Sequence, residues 1–194
     1  MYNRPMLKAV IFDCFGVLYP NAAGIFFDAH KEQFGNDPSG WDAVNKEIDL
    51  GNISRTEFFQ KTEEMTGIPA ESARAEIDAL LKPNDALVRF IDPLKKKYKI
   101  GLLSNAGKEE IQIIYRDKLD HLFDAIVVSY QLRRTKPDDI LFEATVEKLG
   151  VSFDESLLIE DNARNIKAAQ ALGMQTLLYA DYGSSPEELI HLIH

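Results

Sequence analysis

The chain is short of several things. It has one cysteine, Cys14, one tryptophan, Trp41, and fewer cations than anions, 22 Lys and Arg against 31 Asp and Glu. A single cysteine excludes an internal disulfide, which fits a reducing compartment. The net charge of −9 argues against general nucleic-acid binding, which needs a cationic face, though it leaves room for a local positive pocket. No apolar run approaches the ~20 residues of a membrane-spanning helix. The opening stretch MYNRPMLKAVIFD lacks the long apolar core and small-residue cleavage site of a signal peptide. A cytoplasmic protein without nucleic-acid or membrane partners is therefore expected. Repeats and low-complexity segments are missing as well. What remains is 194 residues with 45% hydrophobic content, enough for one well-buried core and a small accessory domain.

Five short runs are rich in β-formers: AVIF (9–12), IGLLS (100–104), AIVVS (125–129), LLIE (157–160) and TLLYA (176–180). They alternate only weakly between apolar and polar, as strands covered on both faces do. Helical stretches lie between them. One starts at the cap residue Asp138 and stops at Gly150; another starts at Asp161 or Asn162 and stops at Gly173. A helix over about 85–97 carries Pro93, which should kink or split it. Strand and helix in alternation predict an α/β fold, a doubly wound, mostly parallel sheet with helices on both faces. Residues 20–84 contain no convincing strand. Four helices are expected there, near 24–35, 41–50 and 70–81, with one between the last two that is opened by a capping box of Ser54 and Glu57 and ended by Gly67 and Pro69. The expected division is a core of 1–19 and 85–194 and a helical insertion of 20–84.

Ligands of open parallel sheets bind beyond the carboxyl ends of the strands. Asp13 follows the first strand, Ser104 and Asn105 end the second, Lys136 lies after the third, and Glu160 and Asp161 end the fourth. Each has a plain structural reading. Asp13 can be a turn residue, Ser104-Asn105 and Glu160-Asp161 can cap helices, and Lys136 can be a solvated loop residue. Together they place three carboxylates, a cation and a hydroxyl in one cleft. Three carboxylates alone would repel one another and raise their pKa values. A hard divalent cation such as Mg²⁺ offsets that charge and suits oxygen ligands. Such a group could hold phosphoryl oxygens while Asp13 attacks phosphorus, with the metal and Lys136 screening two anions from each other.

At this point the chain resembles the haloacid dehalogenase-like (HAD) hydrolase superfamily over nearly its full length. AVIFDCFGVL matches the first family motif, hhhhDxDG(V/T), except at one position. LLSN carries the second motif, KPDD the third, and LLIEDNARN the fourth. Arg134 and Thr135 stand where many members have a glycine. The insertion is similar to the family's small helical cap, and GNISRTEFF to cap segments of its phosphatases. The resemblance implies a Rossmann-like core and a nucleophile, Asp13, that also ligates Mg²⁺ beside Asp161. It implies that Phe15 gives only its backbone carbonyl to the metal and that Glu160 ligates directly or through water. Ser104 and Lys136, with Asn105 beside them, would hold the phosphate, and Asn165 would support the loop. The implied substrate is a small phosphorylated metabolite, and the protein a monomer or homodimer.

Phe15 is the departure. Phosphatase members usually carry a second Asp there, which protonates the leaving oxygen and then activates water. General acid–base help is worth about 10²–10⁴ in rate. The first expectation is a Mg²⁺-dependent phosphatase in which another group, or the leaving group's own acidity, covers the loss. The second is a fold-preserving binding or regulatory protein without turnover. The third is a 2-haloacid dehalogenase, whose halide needs no proton, but whose fourth motif lacks the acidic pair. Other residues have modest expected roles. Cys14 should point away from Asp13 as a buried filler. His30 is read as a solvated helix-face residue, and His121, His191 and His194 sit in no motif. Trp41, Phe26 and Phe27 are expected in the cap core, free to wall the pocket. LKKKYK (94–99) reads as a solvated face. Arg133 and Arg134 with Lys136 could steer an anion or pair with surface acids.

Overall fold

The β-rich runs become the five strands of one parallel sheet. The computed structural model describes residues 6–36, 38–179 and 182. The strands β1 (Ala9–Phe12), β2 (Lys99–Ser104), β3 (Ala125–Val128), β4 (Ser156–Glu160) and β5 (Gln175–Leu178) stand in the order β3-β2-β1-β4-β5, with every neighbour parallel. The central strand β1 is buried at all four positions. Its alternate residues feed opposite faces, as the period of two requires. Val10 and Phe12 pack with Leu87, Ile91 and Ile100; Ala9 and Ile11 pack with Leu141, Phe142 and Leu158.

The helices are α1 (Ala22–Ala29), α2 (Pro38–Asp49), α3 (Arg55–Thr66), α4 (Ala70–Leu80), α5 (Asp85–Leu94), α6 (Gln112–Arg116), α7 (Ser129–Leu132), α8 (Asp139–Leu149) and α9 (Ala163–Ala171). The sequence signals for their ends act as expected. Asp138 caps α8, accepting from Ile140 N, and Gly150 ends it in the left-handed region. Asn162, rather than Asp161, caps α9. Ser54 and Glu57 form the capping box of α3. Helices α1–α4 and the turn after α1 bury their own apolar cluster, built on Phe26, Phe27, Phe34, Trp41, Phe58, Phe59 and Ile77.

Some boundaries differ. Asn21 caps α1, accepting from Gly24 N, so this helix starts two residues early and ends at Ala29 rather than 35. Helix α5 ends one residue after Pro93, and the chain beyond closes in short turns such as Lys95 N to Asp92 O. Pro93 therefore falls in the last turn, where the bond it cannot donate and the clash of its ring with the preceding turn end the helix instead of splitting it. The third strand ends at Val128, because Ser129 opens the one-turn α7. Helices α6 and α7 are too short to show periodicity in sequence. Ala180 of the expected fifth strand, His191 and His194 lie outside the described residues, as does the opening stretch 1–5.

Candidate active site

Parallel pairing sets the site. Phe12 is in register with Ile159, and Asp13 N donates to Ile159 O at 2.9 Å, so Asp13 emerges beside Glu160. Lys136 reaches in from the loop before α8 and joins them. Its Nζ lies 2.8 Å from Asp13 Oδ1 and 2.7 Å from Glu160 Oε2, and also donates to Leu103 O at 3.1 Å. All three side chains are buried. This is no solvated lysine.

The carboxylates are held in different states. Burial and the neighbouring Glu160 charge push Asp13 well up, against the pull of Lys136. For Glu160, burial is outweighed by Lys136 and by hydrogen bonds that include Asn165, and the group is held low. Burial pulls Lys136 down, but the two carboxylates outweigh it and hold the ammonium above its ordinary range. Asp161 is raised to about 7 by burial and by Glu160.

Asp13, Glu160 and Asp161 each present an oxygen within 4.8 Å of the others, the only such cluster of metal-capable side chains among the described residues. Oxygen donors of this kind suit a hard divalent cation. A glycine makes the approach possible. Gly16 has φ +100, and a Cβ there would stand 2.0 Å from Asp161 Oδ2. The turn after β1 thus leaves the space that the Asp161 carboxylate fills.

Phe15 lines the same cavity, packs towards Tyr19, and brings no titratable group. Asn105 spends its side chain on the main chain of Lys136: Oδ1 accepts from Lys136 N at 2.7 Å and Nδ2 donates to Lys136 O at 3.2 Å. It fixes the lysine loop. Asn165, buried in the first turn of α9, lines the cavity. Ser104 is wholly buried and sits behind the lining rather than in it, its hydroxyl 3.4 Å from Asn105 O.

The cavity has a volume of about 660 Å³ and runs from these residues to α1–α4. Trp41 and Phe27 are both core of the four-helix segment and wall of the cavity; Phe26 is core alone. The cavity also holds Asp49, Arg55 and Glu110, which sequence reading did not single out. Arg55 pairs with Asp78 and lies 3.5 Å from Glu110. Other residues fall away from the site. Cys14 is buried in the core, its thiol pushed up by burial and by Asp13. His30 pairs with Glu76 at 2.9 Å. The basic cluster splits: Arg133 donates to Asn52, Arg134 pairs with Asp138, and Lys136 alone enters the cavity. In LKKKYK, Lys95 and Lys99 donate to the main chain at His121 and Leu149.

Comparison with known proteins gives the family and the fold. Residues 7–173 match the model of the haloacid dehalogenase-like hydrolase family. A HAD family enzyme of Bacteroides thetaiotaomicron shares the fold over 98% of this chain and 100% of its own, with a TM-score of 0.76 and 24% identity. Its complex with magnesium and inorganic phosphate aligns at a TM-score of 0.70 and 25% identity, over 89% of this chain and 93% of its own. The phosphorylated carbohydrates phosphatase of Thermotoga maritima is 24% identical over 88% of this chain and 84% of its own length. The pyrophosphatase PpaX of Bacillus mycoides is 26% identical over 60% of this chain; the match spans 55% of that relative's length. The chain thus spans about half the length of the pyrophosphatases it matches. No helix among the described residues is long and apolar enough to cross a membrane.

Proposed function

The chain belongs to the haloacid dehalogenase-like hydrolases, and from that premise we propose that it is a Mg²⁺-dependent phosphatase of small phosphate monoesters. The carrying observation is the buried Asp13–Lys136–Glu160 arrangement beside Asp161 at the strand ends. In this reading Asp13 attacks phosphorus and becomes an aspartyl-phosphate, which water then hydrolyses. Lys136 holds phosphoryl oxygens and Asn105 and Asn165 hold the loops, while Ser104, expected to bind phosphate, lies buried behind the lining and backs the Asn105 loop instead. Asp13, Asp161 and the Phe15 carbonyl would hold Mg²⁺, with Glu160 ligating directly or through water. When bound, the ion supplies charge neutralisation between nucleophile and substrate. Residues 20–84 act as the cap over a core formed by the rest. The relatives support phosphate esters as the substrate class, and three clustered carboxylates count against a metal-free reaction on a haloacid anion.

The test is hydrolysis of an aryl phosphate with 5′- and sugar phosphates alongside, with and without metal. Turnover should vanish in EDTA and return on adding Mg²⁺. Absence of turnover under both conditions, with no phosphoprotein after acid quench, would overturn the reading. Gly16→Ala supplies a second check. The added methyl collides with Asp161 Oδ2, so the Mg²⁺ concentration for half-maximal activity should rise by roughly 10–100-fold, the usual cost of disturbing a ligand's support. An unchanged Mg²⁺ titration would remove Asp161 from the metal site.

A further inference from the structure

Phe15 leaves the proposed reaction without a proton donor for its leaving oxygen. In-line displacement says where a donor must stand, because the attacking and leaving oxygens lie on opposite sides of phosphorus. Asp13 occupies the sheet side of the cavity. The donor must face the leaving oxygen, a place that the turn carrying Phe15 and the α1–α4 side of the cavity both border, and Phe15 offers none.

Asp49, the last residue of α2, lines the same cavity as Asp13 and Lys136. Its main chain is fastened to the loop after β2. Ser129 Oγ donates to Asp49 O at 2.5 Å and itself accepts from Ala106 N at 2.9 Å. Ala106 lies two residues beyond Ser104. Gly107 brings the two segments closer still: a Cβ there would stand 2.8 Å from Ile48 O. The end of α2 therefore rests on the loop that borders the nucleophile. Of the cavity's other acids on this side, Asp28, Asp42 and Glu109 are exposed, and Asp78 is neutralised by Arg55, which also faces Glu110. Among the described residues the Asp49 carboxyl has no ion-pair partner.

We propose that the Asp49 carboxyl supplies the general acid–base catalysis that position 15 lacks. This rests on the phosphatase reading and deepens it. In the first step the Asp13 oxygen forms a bond to phosphorus, the ester P–O bond breaks with its electron pair going to the leaving oxygen, and that oxygen takes the Asp49 proton. In the second step water, entering from the side the alcohol left, forms the new P–O bond. Its proton passes to the Asp49 carboxylate as the bond from phosphorus to the Asp13 oxygen breaks. Both residues return to their starting states.

The surroundings suit a donor at neutral pH. Burial and the Glu110 charge raise Asp49 to about 7, against the opposing field of Lys136. A catalytic pKa near the working pH serves both halves of such a cycle. The charged groups acting on it are Glu110 before α6 and Lys136 before α8. Arg55 of α3 and Asp78 of α4 stand behind Glu110.

The experiment compares kcat/KM for an alkyl and an aryl phosphate in the Mg²⁺-loaded protein and its Asp49→Asn variant. The alkyl ester needs its leaving oxygen protonated and should lose about 10²-fold or more. The aryl ester leaves without a proton, so its kcat/KM should change little, while a burst appears because hydrolysis of the aspartyl-phosphate slows. Adding Phe15→Asp to Asp49→Asn should restore alkyl turnover. For the wild type, alkyl kcat/KM should fall as pH rises through about 7, and Glu110→Gln should move that limb to lower pH. Glu110→Gln keeps the test open if Asp49→Asn folds poorly. Equal loss for both esters, no loss for either, or abolition of alkyl turnover by Glu110→Gln would overturn the assignment. No Mg²⁺-dependent turnover of any ester by the wild type would instead overturn the phosphatase reading beneath it.

Discussion

Lys136→Met should cost the metal-free protein about 3–5 kcal/mol of folding stability as well as its activity. The range is the usual cost of breaking a buried ion pair by removing one partner. Here the orphaned partners are two, Asp13 and Glu160, both buried and both within 2.8 Å of the lysine nitrogen. Methionine fills much of the volume but leaves the carboxylates facing each other. One of them must then take up a proton for the chain to fold. The stability gap between wild type and variant should therefore shrink as pH falls through the carboxylate range. The sign follows from the shifts. Lys136 is raised, so its contribution is complete below its ordinary value of 10.5 and is lost only as pH rises through the folded value above that. Glu160 is lowered, so its contribution is present above its ordinary value of 4.5 and is lost as pH falls through its folded value. Urea unfolding at pH 5 and pH 8 in EDTA measures the gap. Adding Glu160→Gln to Lys136→Met should recover part of it at pH 8. A Lys136→Met protein as stable as wild type at pH 8 would mean that the lysine is not the counterion of this cluster.

The same cluster shows what a linear sequence can and cannot reveal. Asp13, Glu160 and Asp161 were legible because each sits at or just after the carboxyl end of a β-rich run, and Lys136 because it lies in the connection beyond one. A parallel sheet brings such positions together whatever lies between them. The capping residues Asp138, Asn162 and Ser54 were legible because their signals span only a few positions. Local signals fail where a residue's task is set by a distant partner. Asn105 looks like any polar residue after a strand, yet its amide clasps the main chain of Lys136, 31 residues on. Ser129 looks like the end of a strand; its hydroxyl joins Asp49, 80 residues earlier, to the loop after β2, and the chain turns into α7 there. Asp49 itself is one acid among many on a polar helix. Only the fold puts it in the cavity and in the field of Glu110 and Lys136. Phe15 is the reverse case, where a substitution visible in sequence says what is missing and the structure indicates where to look for it.

Asp13→Asn should separate chemistry from folding most sharply. Asparagine nearly matches aspartate in shape but cannot attack phosphorus, so turnover should fall by about 10⁴-fold or more, the scale seen when a nucleophile is removed. Stability should move the other way or stay put. Burial already holds Asp13 above the usual carboxylate range, so its ionised form carries an unfavourable desolvation cost. Glu160, at 2.7 Å, still neutralises Lys136 after the change. Removing Asp13's charge thus relieves repulsion between two buried anions without stranding the cation, unlike Lys136→Met, which strands both anions. Intact-protein mass after acid quench of a reaction with an aryl phosphate should show a phosphoryl adduct in wild type and none in the variant. Thermal unfolding of the metal-free variant should sit at or above wild type. Retained turnover would remove Asp13 from the nucleophile's role. A large loss of stability would mean that Glu160 alone cannot balance Lys136 and that the charge at position 13 serves the fold as well as the reaction.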